Sequence, residues 1–217
     1  MKIYTMKLSI ISLLVFFLCS ISGLYAQQEY FEYGFKGGIN LSNVSGDNTS
    51  SYETRTSMNI GAYGLYKILP KLGIQAELLY SEQGFSNEFN RETNNTEEVD
   101  QVLRMQYINL PVLASYNIIE NLWVEGGLQV GYLAKAEIEE ETVTISQSGG
   151  VDSSTETIEE TDNYERIDLG LAGGLRYKLS QNFMIQARYT QSLNDINKEL
   201  QGDQYNSIFS FSVGFVF

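Results

Sequence analysis

The sequence predicts an all-β fold: an eight-stranded antiparallel up-and-down transmembrane β-barrel with short periplasmic turns and long extracellular loops. Three observations predict it. Apolar and polar residues alternate with a period of two, aromatic residues gather at both ends of the alternating runs, and short connections alternate with long ones. The predicted strands cover residues 31–41, 57–68, 72–83, 103–116, 122–134, 164–178, 183–193 and 205–217.

The start of the chain is expected to be a cleaved secretory signal, residues 1–26, rather than part of the fold. Lys2 and Lys7 give a basic start, residues 8–18 are almost unbroken apolar sequence, and the small residue Ala26 precedes the expected cleavage site. The apolar run is too short to span a bilayer as a helix. Residues 27–217 therefore form the predicted barrel domain, which is expected in the bacterial outer membrane.

The composition argues against several classes of function. The single cysteine, Cys19, lies within the expected signal, and the chain contains no histidine. The exported domain therefore lacks the usual base of a catalytic triad and the common thiolate and imidazole metal ligands. The whole chain has 27 acidic and 14 basic side chains, two of the basic ones being Lys2 and Lys7, so the exported domain also lacks the basic character that nucleic-acid binding requires. We expect a non-enzymatic protein with no cofactor, no metal site and no nucleic-acid partner.

The aromatic residues indicate which face of the strands meets lipid. On the apolar face they collect at two levels, as in the aromatic girdles of outer-membrane barrels. The level near the short turns contains Tyr66, Tyr116, Tyr177, Phe183 and Phe215, and the level near the long loops contains Tyr80, Tyr132, Tyr189 and Tyr205. We therefore expect the apolar face to contact outer-membrane lipid and the charged face to line a narrow lumen.

The charged face carries both signs, which predicts a buried ion-pair network that plugs the lumen. In a narrow lumen each charge is costly alone but tolerated when it is paired. An alternative is a catalytic or transport site made from Glu77 and Glu125, because paired carboxylates can perform acid–base chemistry. The residues expected in the network are Lys36, Glu77, Glu125, Asp168, Arg176 and Arg188.

The predicted loop from Lys135 to Asn163 is strongly acidic, yet it keeps β-alternation on both sides of a Gly149–Gly150 turn. This pattern predicts that the fifth and sixth strands continue beyond the membrane as a hairpin. The edge of this hairpin can recruit a surface protein by strand addition. Its acidic charge can bind calcium or repel other surfaces. A solvated acidic loop without a partner is the simpler alternative. The candidate contact residues are Glu139, Glu140, Glu141, Thr142, Ile145, Gly149 and Gly150.

Four motifs resemble the PorT-like outer-membrane β-barrel family of Bacteroidetes. They are GGINLS at 37–42, QAELLYSEQG at 75–84, YINLP at 107–111, and Gly126-Gly127 followed by Gly131-Tyr132. The resemblance covers nearly all of the mature chain and implies a barrel, not an activity. The namesake of the family is linked to a secretion machinery for cell-surface proteins.

The end of the chain resembles an assembly signal. Phe217 closes an alternating aromatic strand together with Phe215, as in the signal that the barrel-assembly machinery recognises. The resemblance implies that this machinery is a transient partner during biogenesis.

Together, these features predict a surface or envelope component with a filled polar lumen and acidic loops that contact a partner. The resemblance to the PorT-like family implies an association with secretion, as for the namesake of the family. A small-solute pore is the main alternative, favoured if the lumen is wet. A barrel enzyme, such as a lipid acyltransferase or a protease, is a third, which the lack of histidine disfavours.

Overall fold

The computed structural model describes residues 30–47, 49–92, 96–145, 151–198 and 202–217. The expected signal, residues 1–26, and the turn residues Gly149 and Gly150 lie outside this described part. The described residues form a one-turn 3-10 helix, Thr161–Asn163, and nine strands: β1 (Phe31–Gly46), β2 (Glu53–Leu69), β3 (Leu72–Glu92), β4 (Thr96–Ile119), β5 (Leu122–Ile145), β6 (Val151–Glu159), β7 (Ile167–Lys178), β8 (Phe183–Ser192) and β9 (Gln204–Val216). No helix within the described ranges is long and apolar enough to cross a membrane.

Eight of these strands close into an antiparallel barrel in the order β1, β2, β3, β4, β5, β7, β8 and β9. The ring closes between the first and last strands, where Gly34 lies opposite Val216 and Gly46 lies opposite Gln204. Closure leaves no unpaired strand edge in the wall, which a bilayer requires because it offers the backbone no water to bond. The predicted fold class is confirmed.

The two rims of the barrel differ as the sequence predicts, but the loops are shorter than expected. At one rim β2 and β3 are joined by residues 70–71, and β4 and β5 by residues 120–121, where Asn121 adopts a φ of 68° that asparagine tolerates. At the other rim β3 continues to Glu92 and β4 begins at Thr96. Most of the segment 84–102, predicted as a loop, is therefore strand, because β3 and β4 keep their backbone pairing from Gly84 with Arg104 to Glu92 with Thr96.

The ninth strand, β6, lies outside the barrel. It pairs with the far part of β5, with Glu137 opposite Glu159 and Ile145 opposite Val151. We call the four-stranded sheet formed by residues 84–92, 96–106, 135–145 and 151–159 the extension. The predicted hairpin is present, but its second arm is a separate strand. After β6 the chain forms the 3-10 helix, and β7 begins at Ile167 rather than at residue 164.

The outer wall of the barrel is apolar and the inner wall is mainly polar. Leu128 on the wall is 60% exposed, whereas Gln75 and Arg176, which point inward, are 0% exposed. The predicted girdle residues point outward at both levels, and seven of them are large exposed side chains: Tyr66, Tyr116, Tyr132, Tyr177, Phe183, Tyr189 and Phe215. This distribution suits a wall surrounded by lipid.

The pairing between β3 and β4 is interrupted beside Pro111. Ala76 pairs with Val112 and Leu79 pairs with Asn109, without a shift in register between the two pairs. Proline has no N–H to donate to the neighbouring strand. The interruption falls beside Glu77, whose side chain enters the lumen.

Candidate functional site

The centre of the lumen holds the carboxylate of Glu77 between two cations. Arg188 donates hydrogen bonds from both terminal nitrogens, at 2.8 and 2.6 Å, and Lys36 Nζ lies 2.7 Å from Oε2. Gln75 Nε2 donates a further hydrogen bond of 2.6 Å to Oε1. Because Glu77 and Arg188 are almost fully buried, these contacts compensate charges that water does not reach.

A second carboxylate, Glu125, extends the network. Its Oε2 lies 3.1 Å from Arg188 Nη2 and accepts a hydrogen bond of 2.6 Å from Gln186 Nε2. Its Oε1 lies 3.3 Å from Arg176 Nε. The amide oxygen of Gln186 accepts a hydrogen bond of 2.6 Å from Lys36 Nζ. Glu77 and Glu125 are therefore connected by two paths, one through Arg188 and the other through Lys36 and Gln186.

A third carboxylate, Glu32, continues the network towards the short-turn rim. Its Oε1 accepts a hydrogen bond of 2.6 Å from Arg176 Nη1, and its Oε2 forms an ion pair with Lys178. The guanidinium of Arg176 also lies 5.1 Å from the ring centroid of Trp123. Sequence reasoning missed Glu32 and Lys178, although each shares the inward face of its strand with a predicted member, Lys36 or Arg176.

The structure brings five of the six predicted charges into one network and leaves Asp168 out of it. Asp168 accepts hydrogen bonds from Ser192 at 2.6 Å and from Asn206 at 3.0 Å. It lies on the same strand as Arg176 but eight residues away, which is roughly 26 Å along a strand. Sharing a strand face was therefore not enough to place the two charges at the same height in the barrel.

An apolar cluster closes the lumen at the rim that carries the extension. Residues from four strands, β1, β3, β4 and β5, meet residues from two connections there. Tyr52 stacks on Phe85 with their ring centroids 3.6 Å apart. Tyr164 is also enclosed, and its burial raises the pKa of its hydroxyl well above the ordinary value. The cluster, which we call the apolar cap, consists of Val44, Phe85, Leu103, Met105, Tyr107, Leu133, Ala136, Tyr164 and Ile196.

Sequence reasoning missed the apolar cap because it treated the inward faces as polar throughout. A signal was present: Leu103, Met105 and Tyr107 alternate in β4 on the face opposite to Ile108 and Leu110. Within the membrane the outward face of β4 is apolar because it contacts lipid. Above the membrane the inward face is apolar instead, which indicates that it packs in a protein core.

A small cavity lies between the ion-pair network and the apolar cap. It measures about 20 Å³, and Asn40, Ser81, Asn109, Arg188 and Ser212 are among the residues that line it. This volume is about that of one buried water molecule. Inward side chains of the described lumen, such as Gln75, Glu125 and Arg176, are almost fully buried. They therefore fill it, as the narrow interior of an eight-stranded barrel allows.

The extension carries the acidic residues predicted as contact residues. Glu139 forms an ion pair of 2.6 Å with Arg104, and Glu137 forms one of 2.6 Å with Lys135, whose pKa this hydrogen bond raises. Glu140, Glu141 and Thr142 are partly or fully exposed on β5, and every residue of β6 is exposed. In the described ranges, no group of three or more acidic residues is arranged to hold a metal ion.

Comparison with protein families identifies the domain. A family model described as outer membrane protein beta-barrel domain matches residues 25–198. The chain belongs to this family. This outer membrane protein β-barrel domain is located in the outer membrane, as the girdles predict. Its finer assignment to the PorT-like members of Bacteroidetes stays a prediction.

Solved structures of outer-membrane barrels match this β-barrel domain over most of its length. Ail, the attachment invasion locus protein of Yersinia pestis, is 18% identical, with a TM-score of 0.47 over 87% of this chain and 99% of that chain. CarO of Acinetobacter baumannii is 11% identical, with a TM-score of 0.40 over 83% and 97% of the two chains. Neisserial surface protein A is 10% identical, with a TM-score of 0.36 over 84% and 96%. No curated protein sequence matches the chain.

Proposed function

We propose that this outer-membrane barrel is a non-enzymatic surface component with a closed lumen, and that it contacts a surface partner through the extension. The main support for the proposal is the contrast between the lumen and the extension. Ion-paired side chains fill the lumen, whereas beyond the membrane β6 exposes all of its residues. A barrel with a filled lumen has its rims available for contact with other molecules, and the extension enlarges one rim.

Two barriers support a closed lumen rather than a small-solute pore. A passing solute would have to separate buried ion pairs such as Glu77 with Arg188, at a cost of about 3–5 kcal/mol for each uncompensated charge. It would also have to open the apolar cap around Leu103. The network supports the absence of catalysis as well, because Glu77 and Glu125 are both held by cations and neither is free to act as a general base.

Planar-bilayer recording and liposome swelling test the closed lumen. We expect the purified protein to show no steady conductance and to cause no swelling in sugar solutions, with a trimeric porin as the positive control. Steady conductance of the unmodified protein would contradict the closed lumen and favour the pore. Turnover of lipid or peptide by the same preparation would contradict the non-enzymatic role.

Photocrosslinking in intact cells tests the surface contact. A photoreactive residue at position 149 is expected to capture a surface protein, whereas the same residue at Leu179, in a turn at the opposite rim, is not. Replacing Glu139, Glu140 and Glu141 with glutamine should reduce the capture. A lack of any adduct specific to position 149 would leave a solvated acidic hairpin as the better interpretation. An adduct with a component of a secretion machinery would support the secretion-associated role.

A further inference from the structure

The extension ends in an unprotected strand edge. β6 is the last strand of its sheet and, among the described strands, pairs with β5 alone. In such a strand, alternate backbone N–H and C=O groups point away from the sheet and can pair with an added strand. Natural edges are commonly protected by charged side chains, most often lysine, by proline or by a bulge. The sequence of β6, VDSSTETIE, contains no lysine or proline, and its pairing with β5 has no register shift. Its charged side chains are all acidic, so they oppose pairing with another acidic strand but not with a basic one.

A row of aliphatic side chains crosses the extension and stops at this edge. Leu103 of β4 lies opposite Ile138 of β5, which lies opposite Ile158 of β6. Leu103 belongs to the apolar cap and is 1% exposed, whereas Ile158 is 42% exposed. One more aliphatic side chain, placed opposite Ile158 on an added strand, would continue the row and cover its exposed end.

The charges beside this row specify a basic partner. Glu156 of β6 lies directly opposite Glu140 of β5, and Glu159 lies opposite Glu137. Like charges at opposite positions destabilise a pair of strands. Of these four carboxylates, Glu137 is paired with Lys135, and the described ion pairs of the extension do not include Glu140 or Glu156. Glu156 lies on the same face of β6 as Ile158, two residues away. A partner strand that carries a basic residue and an aliphatic residue two positions apart would therefore place each opposite its match.

We propose that the edge of β6 binds an extended basic segment of a polypeptide by strand addition. An aliphatic residue of that segment lies opposite Ile158, and a lysine or arginine two positions along lies opposite Glu156. The inference rests on the proposed surface contact through the extension and adds the chemistry of the partner. A second copy of the chain fits less well, because pairing two β6 strands would bring the acidic residues of two extensions together.

A synthetic peptide tests the pairing. The probe is Lys-Ile-Thr-Lys-Thr-Thr-Thr-Lys-Thr, which places isoleucine opposite Ile158 and lysine opposite Glu156 in an antiparallel register. Binding to the full-length mature protein in zwitterionic nanodiscs is measured by fluorescence anisotropy, with empty nanodiscs as the control. Two further peptides carry N-methyl groups on alternate backbone nitrogens, one peptide on the odd-numbered set of residues and the other on the even-numbered set. We expect one set to abolish binding, because added strands bond through alternate amides, and the other set to preserve it.

Variants of the protein locate the contact. Glu156→Gln should weaken binding about two- to fivefold at low salt, the range for an exposed ion pair, and Ile158→Thr should weaken it as well. Asp100→Asn is the matched control, because Asp100 lies exposed on β4, two strands away from the edge. Amide hydrogen exchange should slow in β6 when the peptide is bound and remain unchanged in the barrel.

Four results would overturn the inference. Binding that survives both N-methylated peptides, or that Asp100→Asn weakens as much as Glu156→Gln, would indicate diffuse charge attraction. Protection of β6 in a dimer of the protein without peptide would favour a second copy as the occupant. Failure of the basic peptide to bind would refute the basic partner, and crosslinking from position 149 would then show separately whether a surface contact exists.

Discussion

Glu77 of β3 and Arg188 of β8 are joined by two hydrogen bonds, of 2.8 and 2.6 Å, that cross the barrel. Their strands are four places apart in a ring of eight, so the pair connects opposite walls. Desolvation offsets much of the Coulombic attraction in a buried pair. The pair is therefore expected to contribute little net stability when complete, and to be costly when only one partner is removed.

This asymmetry gives a double-mutant prediction. Glu77→Leu should lower the free energy of unfolding by about 3–5 kcal/mol, because it leaves Arg188 and Lys36 short of a counter-charge. Combining it with Arg188→Met should recover much of the loss, since the second change removes one uncompensated cation. Urea unfolding in lipid vesicles measures both effects, and Glu53→Gln, at an exposed position of β2, is the control. A double variant as unstable as the sum of its singles would argue against coupling across the lumen.

The apolar cap gives a second prediction. Leu103→Ala should lower the free energy of unfolding by about 2–5 kcal/mol, because it leaves a cavity in a packed cluster. Leu110→Ala is the matched control, because Leu110 lies on the same strand but is 49% exposed on the outer wall, where lipid can fill the space. Equal losses in the same vesicles would indicate that the cap is not a packed core.

The boundary between wall and extension gives a third prediction. Leu128→Arg places a charge on the outer wall and should cost about 2–4 kcal/mol if the site lies near the bilayer midplane. Val151→Arg places the same charge on β6, where Val151 is 66% exposed beyond the membrane, and should cost almost nothing. Refolding yields and urea unfolding in vesicles compare the two variants. Similar costs would mean that the strands are placed wrongly relative to the lipid.

The barrel wall could be predicted from the sequence because lipid imposes one rule on every strand. An outward side chain between the girdles must be apolar, so the alternation survives even where the inward residues vary. Beyond the membrane this rule ends. Both faces of the extension can meet water or protein, and the alternation weakens over residues 84–102 although the backbone remains paired from Gly84 with Arg104 to Glu92 with Thr96. Strand ends were therefore underestimated at this rim.

The lumen could be predicted only in part, for a geometric reason. Strand parity assigns a residue to the inner face but does not give its height, which depends on how neighbouring strands are staggered. Parity correctly placed Glu77 and Arg188 inside, yet it also grouped Asp168 with Arg176, which the register separates: Asp168 lies opposite Gly131, whereas Arg176 lies opposite Trp123. Heights follow only when the pairing register of all the strands is known.

The final residue gives a prediction that separates stability from biogenesis. Phe217 lies just after β9, its N–H donates a hydrogen bond of 3.0 Å to the carbonyl of Tyr33, and its ring stacks on the ring of Tyr33 at 5.4 Å. Deletion of Phe217 removes one backbone hydrogen bond, at a cost of about 0.5–1.5 kcal/mol, and ring contacts with Tyr33, Phe35 and Phe215. The side chain is 50% exposed on the outer wall, where lipid can fill the space that it leaves. Refolding into vesicles without other proteins should therefore be nearly unchanged.

In cells the same deletion should sharply reduce the amount of protein in the outer membrane, because the assembly machinery would lose the terminal aromatic residue that it recognises together with Phe215. Phe209→Ala is the control, because Phe209 lies on the same strand and is 38% exposed but is far from the terminus. Heat-modified mobility on gels of outer-membrane fractions measures the assembled form. Normal assembly of the truncated protein would refute the signal. Equal assembly defects in cells and in vesicles would instead indicate that the deletion weakens the closure of β9 on β1. We expect closure to persist, because the pairing of β9 with β1 begins at Val216 with Gly34 and does not include Phe217.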